Sequence, residues 1–188
     1  MNSIEWAKYE LEDVVDKSQF ERMLSSVAVL TNLLSAYQIR PIIVGGLAVE
    51  IYTRSGYTTA DIDMVVSDRE AAVKLLQQVG FTPQGRHLFH EKLLVSIEIP
   101  SDMLEDADEE KIIEIVTANG YSVFVIGIED IILDRMRACV HWKSSSDCEW
   151  AYRMFLIHRE QIDYAYLEAK AIHDQTHLLL QNWSQSRR

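Results

Sequence analysis

The chain has 188 residues, of which 48% are hydrophobic and 25% charged, and it carries a formal net charge of −11. These values describe an ordinary folded protein of one domain, or of one domain with a helical extension. They argue against a non-specific nucleic-acid binder, which needs clustered Lys and Arg to neutralise phosphates, and leave a specific RNA acceptor open. The N-terminus, Met1-Asn2-Ser3-Ile4-Glu5, has neither the basic start nor the apolar core of a signal peptide, and no apolar run is long enough to cross a membrane. We therefore expect a cytoplasmic protein with no membrane partner.

Two helices are predicted before the first strand. Apolar residues recur at helical spacing over residues 18–37, and Ser18 with Glu21 forms the pattern of a capping box. A shorter helix is expected over residues 4–14. Both helices should pack against a sheet.

A glycine pair follows the first predicted strand. The β-branched run Ile42-Ile43-Val44 ends at Gly45 and Gly46, and a helical pattern begins at Leu47. Glycine lets the backbone turn sharply and lets a ligand come close. The N–H groups and the positive dipole end of the following helix would face that ligand, which favours a bound phosphate.

The second predicted strand opens with two acids, in Thr59-Ala60-Asp61-Ile62-Asp63. Residues two apart on a strand point to the same face, so Asp61 and Asp63 should lie side by side. Such a pair repels itself unless a cation lies between the carboxylates, and oxygen ligands suit magnesium. The segment therefore predicts a metal site beside a phosphate site.

The remaining elements are predicted in order from local patterns. A helix from the capping pattern Ser67-x-x-Glu70 should stop at Gly80, and strands are expected near residues 87–90 and 93–99. On the latter, Glu98 shares a face with Ser96. The acid-rich residues 101–110 are interpreted as a solvated loop, and Asn119-Gly120 predicts a hairpin within residues 112–126.

Three helices are predicted for the rest of the chain, over residues 128–141, 147–157 and 161–183. The polar face of the first, with Asp130, Asp134, Arg137 and His141, is interpreted as salt-bridged surface. His173 and His177, at i and i+4, are taken as surface histidines. The two cysteines, Cys139 and Cys148, make no disulfide framework or zinc pattern, and we expect free thiols.

In the residues Gly45-Gly46 and Thr59-x-Asp61-Ile62-Asp63 the chain resembles the nucleotidyltransferase superfamily of polymerase-β-like fold. It is most similar to small bacterial members related to abortive-infection and toxin–antitoxin nucleotidyltransferases, and to lincosamide nucleotidyltransferases. The resemblance implies an α/β fold with a mixed, mostly antiparallel sheet backed by helices. We expect a nucleotidyltransferase-like domain over residues 1–141 and a helical extension over 142–188.

The resemblance also implies a chemistry. The protein would move a nucleoside monophosphate from an NTP, such as ATP, to an acceptor hydroxyl and release pyrophosphate. Its catalytic and metal-binding residues would be Asp61, Asp63 and Glu98, with magnesium or manganese as the ion. The phosphates would contact Gly45, Gly46, Leu47 and Thr59, with Arg54, Lys92 and Lys143 as charge partners.

Two departures from the family keep an alternative open. Leu47 stands where many members have Ser, and Glu98 where Asp is commoner. The alternative is a degenerate fold that serves as a nucleotide-binding or partner-binding module, such as an antitoxin or regulator. Retention of both Asp61 and Asp63 favours the enzyme. The base, the acceptor (an RNA end, a protein or a small hydroxylated molecule), any protein partner and the oligomeric state remain open.

Overall fold

The computed structural model describes residues 2–185 and shows a mixed sheet flanked by helices. The helices are α1 (Ser3–Glu12), α2 (Gln19–Ser35), α3 (Gly45–Tyr52), α4 (Arg69–Gln78), α5 (Ile128–His141), α6 (Ser145–His158), α7 (Tyr164–His173) and α8 (His177–Gln185), with a 3-10 turn at Glu109–Lys111. The strands are β1 (Ile42–Val44), β2 (Asp61–Val65), β3 (Thr82–Gln84), β4 (His87–His90), β5 (Val95–Glu98), β6 (Ile113–Val116) and β7 (Ser122–Val125).

The seven strands form one sheet in the order β3-β4-β5-β2-β1-β7-β6. The pairs β1–β7 and β2–β5 are parallel and the other four are antiparallel. The predicted α/β class with a mixed, mostly antiparallel sheet is confirmed. The central position of β1 and β2 places the acid pair in the middle of the sheet and the glycine pair directly after a central strand, at the start of α3.

Local capping explains where several helices begin. The side chains of Asn2 and Ser18 accept N–H groups of α1 and α2, and Glu5 and Glu21 complete the two capping boxes. The predicted start of α4 was wrong by one residue, because Asp68 caps this helix in place of Ser67. The helix expected from residue 147 begins at Ser145, with Ser144 as its cap. Short polar residues cluster at both starts, so the pattern alone could not choose among them.

The long C-terminal helix predicted over residues 161–183 was wrong, because the chain forms two helices there. Gln175 has a φ of 60° between them, which interrupts the helix. His173 is the last residue of α7 and His177 the first of α8, so the i, i+4 geometry of one helix does not exist. Among residues 2–185, no helix combines the length and apolar character needed to span a membrane.

The expectation of free thiols was also wrong. Cys139 on α5 and Cys148 on α6 form a disulfide, with their Cα atoms 4.7 Å apart. The two helices are joined by a short turn and pack against each other, which brings residues nine positions apart together. A spacing of nine does not reveal this without the turn geometry.

One hydrophobic core connects the sheet to the C-terminal helices. Buried side chains of α6, α7 and α8, among them Phe155, Leu167 and Leu180, belong to the same cluster as Ile62 and Met64 of β2. The division into a domain over 1–141 and an extension over 142–188 stays a prediction.

Candidate active site

Four neighbouring strands present residues in register at the centre of the sheet. Val44 of β1 lies opposite Asp63 of β2, Asp63 opposite Glu98 of β5, and Glu98 opposite His87 of β4. Residues opposite each other across strands share a face of the sheet. Val44, Asp63, Glu98 and His87 therefore form a row on one face, and Asp61 lies two residues along β2 on that same face.

The apolar residues of these strands explain why the polar ones point outward. Ile62 and Met64 of β2 and Ile97 of β5 are fully buried, whereas Asp61, Asp63 and Glu98 are half-buried. A strand with one face in the core must turn alternate residues away from it. The alternation predicted from sequence for both strands is what places the acids together.

Asp63 lies against the glycine pair at the N-terminus of α3. Gly45 has a φ of 58°, and a Cβ on it would come 2.1 Å from Oδ2 of Asp63. Burial raises the pKa of the Asp63 carboxyl, and the negative charge of Asp61 raises it further. A hydrogen bond donated by the N–H of Gly46 and the charge of Arg135 oppose this rise. The helix N-terminus thus helps to hold an ionised Asp63 in a partly desolvated place.

Asp61 is held by a short relay of hydrogen bonds. Oγ1 of Thr59 donates to Oδ1 of Asp61 at 3.0 Å, and the N–H of Thr59 donates to Oε2 of Glu50 at 3.1 Å. Glu50 is buried on α3, and burial raises the pKa of its carboxyl. A Cβ on Gly46 would come 2.6 Å from Oγ1 of Thr59. The second glycine is therefore needed for the close approach of Thr59 to α3.

Glu98 faces two basic side chains across the sheet. Its Oε2 lies 3.3 Å from Nε of Arg86 and 3.8 Å from Nδ1 of His87. Asp61, His87 and Glu98 can each offer one ligand atom, and these atoms lie within 4.8 Å of one another. Two carboxylates and an imidazole are a donor set that fits a divalent cation. Asp63 is not part of this group.

A cleft of ≈ 450 Å³ opens beside the row of acids. Its acidic lining residues are Asp63, Glu98, Glu105, Asp106, Asp130 and Asp134. Among the described residues that line it, Arg137 is the one cation, and its Nε donates to Oδ2 of Asp174 at 2.6 Å. A triphosphate would meet net negative charge in this cleft unless cations accompanied it.

The polar face of α5, interpreted from sequence as salt-bridged surface, carries an ion pair between Arg137 and Asp174, but it also borders the cleft. Asp134 and Arg137 line the cleft, as does Asp130, which is buried. Asp130 accepts hydrogen bonds from the hydroxyl of Tyr166 at 2.6 Å and from the N–H of Asp108 at 3.0 Å. A helix face that borders a polar cleft has the same sequence period as one that borders water, so periodicity could not separate them. The loop expected to be solvated contributes Glu105 and Asp106 to the lining of the same cleft.

The predicted cationic partners lie away from the cleft. Arg54 follows α3 at the end opposite to the glycine pair, about 12 Å along a helix of this length, and lines a different depression. Nζ of Lys92 lies 3.6 Å from Oε1 of Glu12, and Lys143 is exposed in the turn after α5. The side chain of Leu47 is fully buried in the core, so only its backbone can serve a ligand.

His87 is the residue that the sequence analysis did not assign to the site. The strand that contains His87 was predicted. Leu88 is buried, whereas His87 and Phe89 are half-buried, so His87 lies on the face of the sheet that carries Glu98. The missing signal was the pairing of β4 with β5, which depends on a turn whose geometry the sequence did not specify.

Comparison with known proteins supports the fold. No family model matches the chain, and no curated protein sequence matches it. Among solved structures, the chain is similar to the crystal structure of an antigenic nucleotidyltransferase-like protein from Paracoccidioides brasiliensis, with a TM-score of 0.55 and 19% identity. The match covers 95% of this chain and 89% of that one. The likeness shows that the chain has a nucleotidyltransferase-like fold.

Proposed function

We propose that the protein is a metal-dependent nucleotidyltransferase, which moves a nucleoside monophosphate from an NTP to an acceptor hydroxyl in the cytoplasm. The observation that carries this proposal is the placement of Asp61, Asp63 and Glu98 on one face of two adjacent parallel strands, beside the N-terminus of α3. That arrangement combines metal ligands with a phosphate site on a nucleotidyltransferase-like fold.

The acids would hold the divalent ions, magnesium or manganese. Asp61 and Glu98 belong to the group of close ligand atoms, and Asp63 lies beside them on the same face. Bound ions would neutralise the triphosphate and stabilise charge as it develops on the reacting oxygens. The excess of carboxylates in the cleft makes this neutralisation necessary, because Arg137 is already paired with Asp174.

The glycine pair would receive the β- and γ-phosphates. Helix α3 begins at Gly45 without a side-chain cap, since the side chain of Val44 makes no hydrogen bond to it. The N–H of Gly46 already donates to Asp63, so the N–H groups of Gly45 and Leu47 and the positive dipole end of the helix would face the phosphates. Thr59 would keep Asp61 in place through its hydroxyl.

The reaction would be an in-line displacement at the α-phosphorus. The acceptor oxygen forms a bond to the α-phosphorus, and the bond from that atom to the oxygen bridging to the β-phosphorus breaks. Pyrophosphate leaves with the electron pair of the broken bond, and the carboxylate of Glu98 takes the acceptor proton. Glu98 is suited to this role because its carboxylate lines the cleft.

The proposal is tested by following the position of the label. We would incubate the protein with NTPs labelled at the α- or the γ-phosphate, in the presence of magnesium or manganese and an extract containing RNA, protein and small hydroxylated compounds. We expect the α-label to enter an acceptor and the γ-label to appear in pyrophosphate. Asp63→Asn should reduce this transfer by about 100-fold or more.

The matched control is Asp102→Asn, which removes an exposed acid that does not line the cleft. This control should retain the activity of the wild-type protein. Transfer of the γ-label to an acceptor, or full α-label transfer by the Asp63 variant, would contradict the proposal.

A second candidate is the nucleotide-binding or partner-binding module without catalysis. The buried side chain of Leu47 favours it, because the residue that directly follows the glycine pair brings no hydroxyl to the phosphates. Metal-dependent binding of an NTP without transfer of the α-label to any fraction would favour this module.

A further inference from the structure

His87 lies on the same face of the sheet as the acids. It is the first residue of β4 and is in register with Glu98, while Phe89 is in register with Ser96. Since Glu98 is also in register with Asp63, the imidazole extends the row of acids by one strand. The neighbouring residue Leu88 is buried on the opposite face.

The imidazole of His87 has a nitrogen without a partner. Nδ1 is buried and accepts or donates no hydrogen bond, although Oε2 of Glu98 lies 3.8 Å away. Ligand atoms around one first-row metal ion lie about 3–3.5 Å apart, as ligand distances of about 2.0–2.2 Å require. The ligand atoms of Asp61, His87 and Glu98 lie within 4.8 Å of one another. Small rotations of these side chains would bring the atoms to the spacing that a bound ion requires.

Arg86 occupies the outer side of the same group. Its Nε lies 3.3 Å from Oε2 of Glu98 and 3.3 Å from Nε2 of His87. The side chain is 76% exposed, so moving it into solvent costs little. A bound cation would replace the guanidinium as the partner of Glu98.

We propose that His87 is a metal ligand and that, with Asp61 and Glu98, it makes this site prefer a first-row transition-metal ion such as Mn²⁺ or Co²⁺ over Mg²⁺. Mg²⁺ prefers oxygen ligands and gives up its water reluctantly, whereas an imidazole nitrogen is a good ligand for transition-metal ions. This inference rests on the proposed function, since it concerns the ion of the same site.

The test measures binding of the metal alone, without nucleotide. We would titrate Mg²⁺, Mn²⁺ and Co²⁺ into the wild-type protein and into His87→Gln, which keeps a polar side chain in the strand. His87→Gln should weaken binding of Co²⁺ and Mn²⁺ by about tenfold or more and change the affinity for Mg²⁺ much less. Pulsed EPR of bound Mn²⁺ should show coupling to a nitrogen nucleus in the wild-type protein and none in the variant.

The matched control is His173→Gln, at an imidazole that is 81% exposed at the end of α7. This variant should keep both the metal affinities and the nitrogen coupling. Arg86→Ala should have the opposite effect to His87→Gln. It should raise the affinity for all three ions severalfold, because it removes a positively charged group that competes with the metal for Glu98. Unchanged Co²⁺ affinity and unchanged nitrogen coupling in His87→Gln would overturn the inference.

The two proposals fail in different ways. If metal binding depends on His87 but no α-label is transferred, the metal site is supported and the enzymatic function is contradicted. If the α-label is transferred and His87→Gln leaves metal binding unchanged, the enzymatic function is supported and the role of His87 as a ligand is contradicted.

Discussion

Asp63 occupies a position that costs stability when no metal is present. Burial and the neighbouring charge of Asp61 raise the pKa of its carboxyl in the folded protein. Between the ordinary pKa of Asp and this raised value, the folded state binds more protons than the unfolded state. Stability therefore decreases as pH rises through that window. A residue kept at such a cost is more readily explained by a bound cation than by folding.

Gly45 shows how strictly a single position next to Asp63 is constrained. Alanine there would adopt an unfavourable φ and place its Cβ against the Asp63 carboxylate. Gly45→Ala should lower the free energy of unfolding by about 2–5 kcal/mol, as the sum of left-handed backbone strain and the disturbed hydrogen bond of Asp63. Urea denaturation measures the change.

Gly85→Ala is the control for this prediction. Gly85 has a φ of 63°, close to that of Gly45, but a Cβ on it would meet nothing within 4 Å. Its loss should be about 1–2 kcal/mol, from backbone strain alone. Equal losses for the two variants would show that the contact between Gly45 and Asp63 has no energetic weight.

Among the elements, most of those defined by local patterns were predicted, although the break in the C-terminal helix at Gln175 was not, and features that depend on turn geometry or long-range packing were missed. The alternation in β2 and β5 and the hairpin of β6 and β7 follow from short stretches of sequence. The pairing of β4 with β5 depends on the geometry of the four-residue turn between them, and the approach of α5 to the cleft depends on how distant segments pack. For that reason the common face of Asp61, Asp63 and Glu98 was predicted from sequence, whereas the positions of His87 beside them and of Arg137 in the cleft were not.

The disulfide between α5 and α6 is the element-level feature with the clearest energetic consequence. A cross-link between residues nine positions apart lowers the conformational entropy of the unfolded chain. In the loop-closure model this stabilises the folded state by about 2–3 kcal/mol. Reduction with dithiothreitol should lower the free energy of unfolding of the wild-type protein by that amount. Urea denaturation with and without the reductant measures it.

Cys148→Ser provides the comparison for the disulfide prediction. It should already have the lower stability and should not respond to dithiothreitol. A wild-type protein whose stability is the same with and without reductant would contradict a contribution of the disulfide to the folded state.

In the whole molecule, the row of acids at the centre of the sheet lies beside a cleft whose lining includes many carboxylates and a paired basic side chain, Arg137. The net charge of −11 and the acidic lining of the cleft make binding of a free triphosphate unfavourable without divalent ions. Binding of the metal to the acids of β2 and binding of the nucleotide should therefore strengthen each other.

The most direct measurement is calorimetric titration of each NTP into the protein, with and without Mg²⁺ or Mn²⁺, for wild type and for Asp61→Asn/Asp63→Asn. The double variant keeps oxygen atoms that can accept the hydrogen bonds of Thr59 and Gly46, and it removes the repulsion between the two acids. At neutral pH it should unfold at the same temperature as the metal-free wild type or at a higher one. We expect an NTP to bind wild type only with the metal, and to lose about 100-fold or more in affinity in the variant. Equal NTP binding by the folded variant, or no metal-dependent binding of any NTP to wild type, would contradict the proposed donor site.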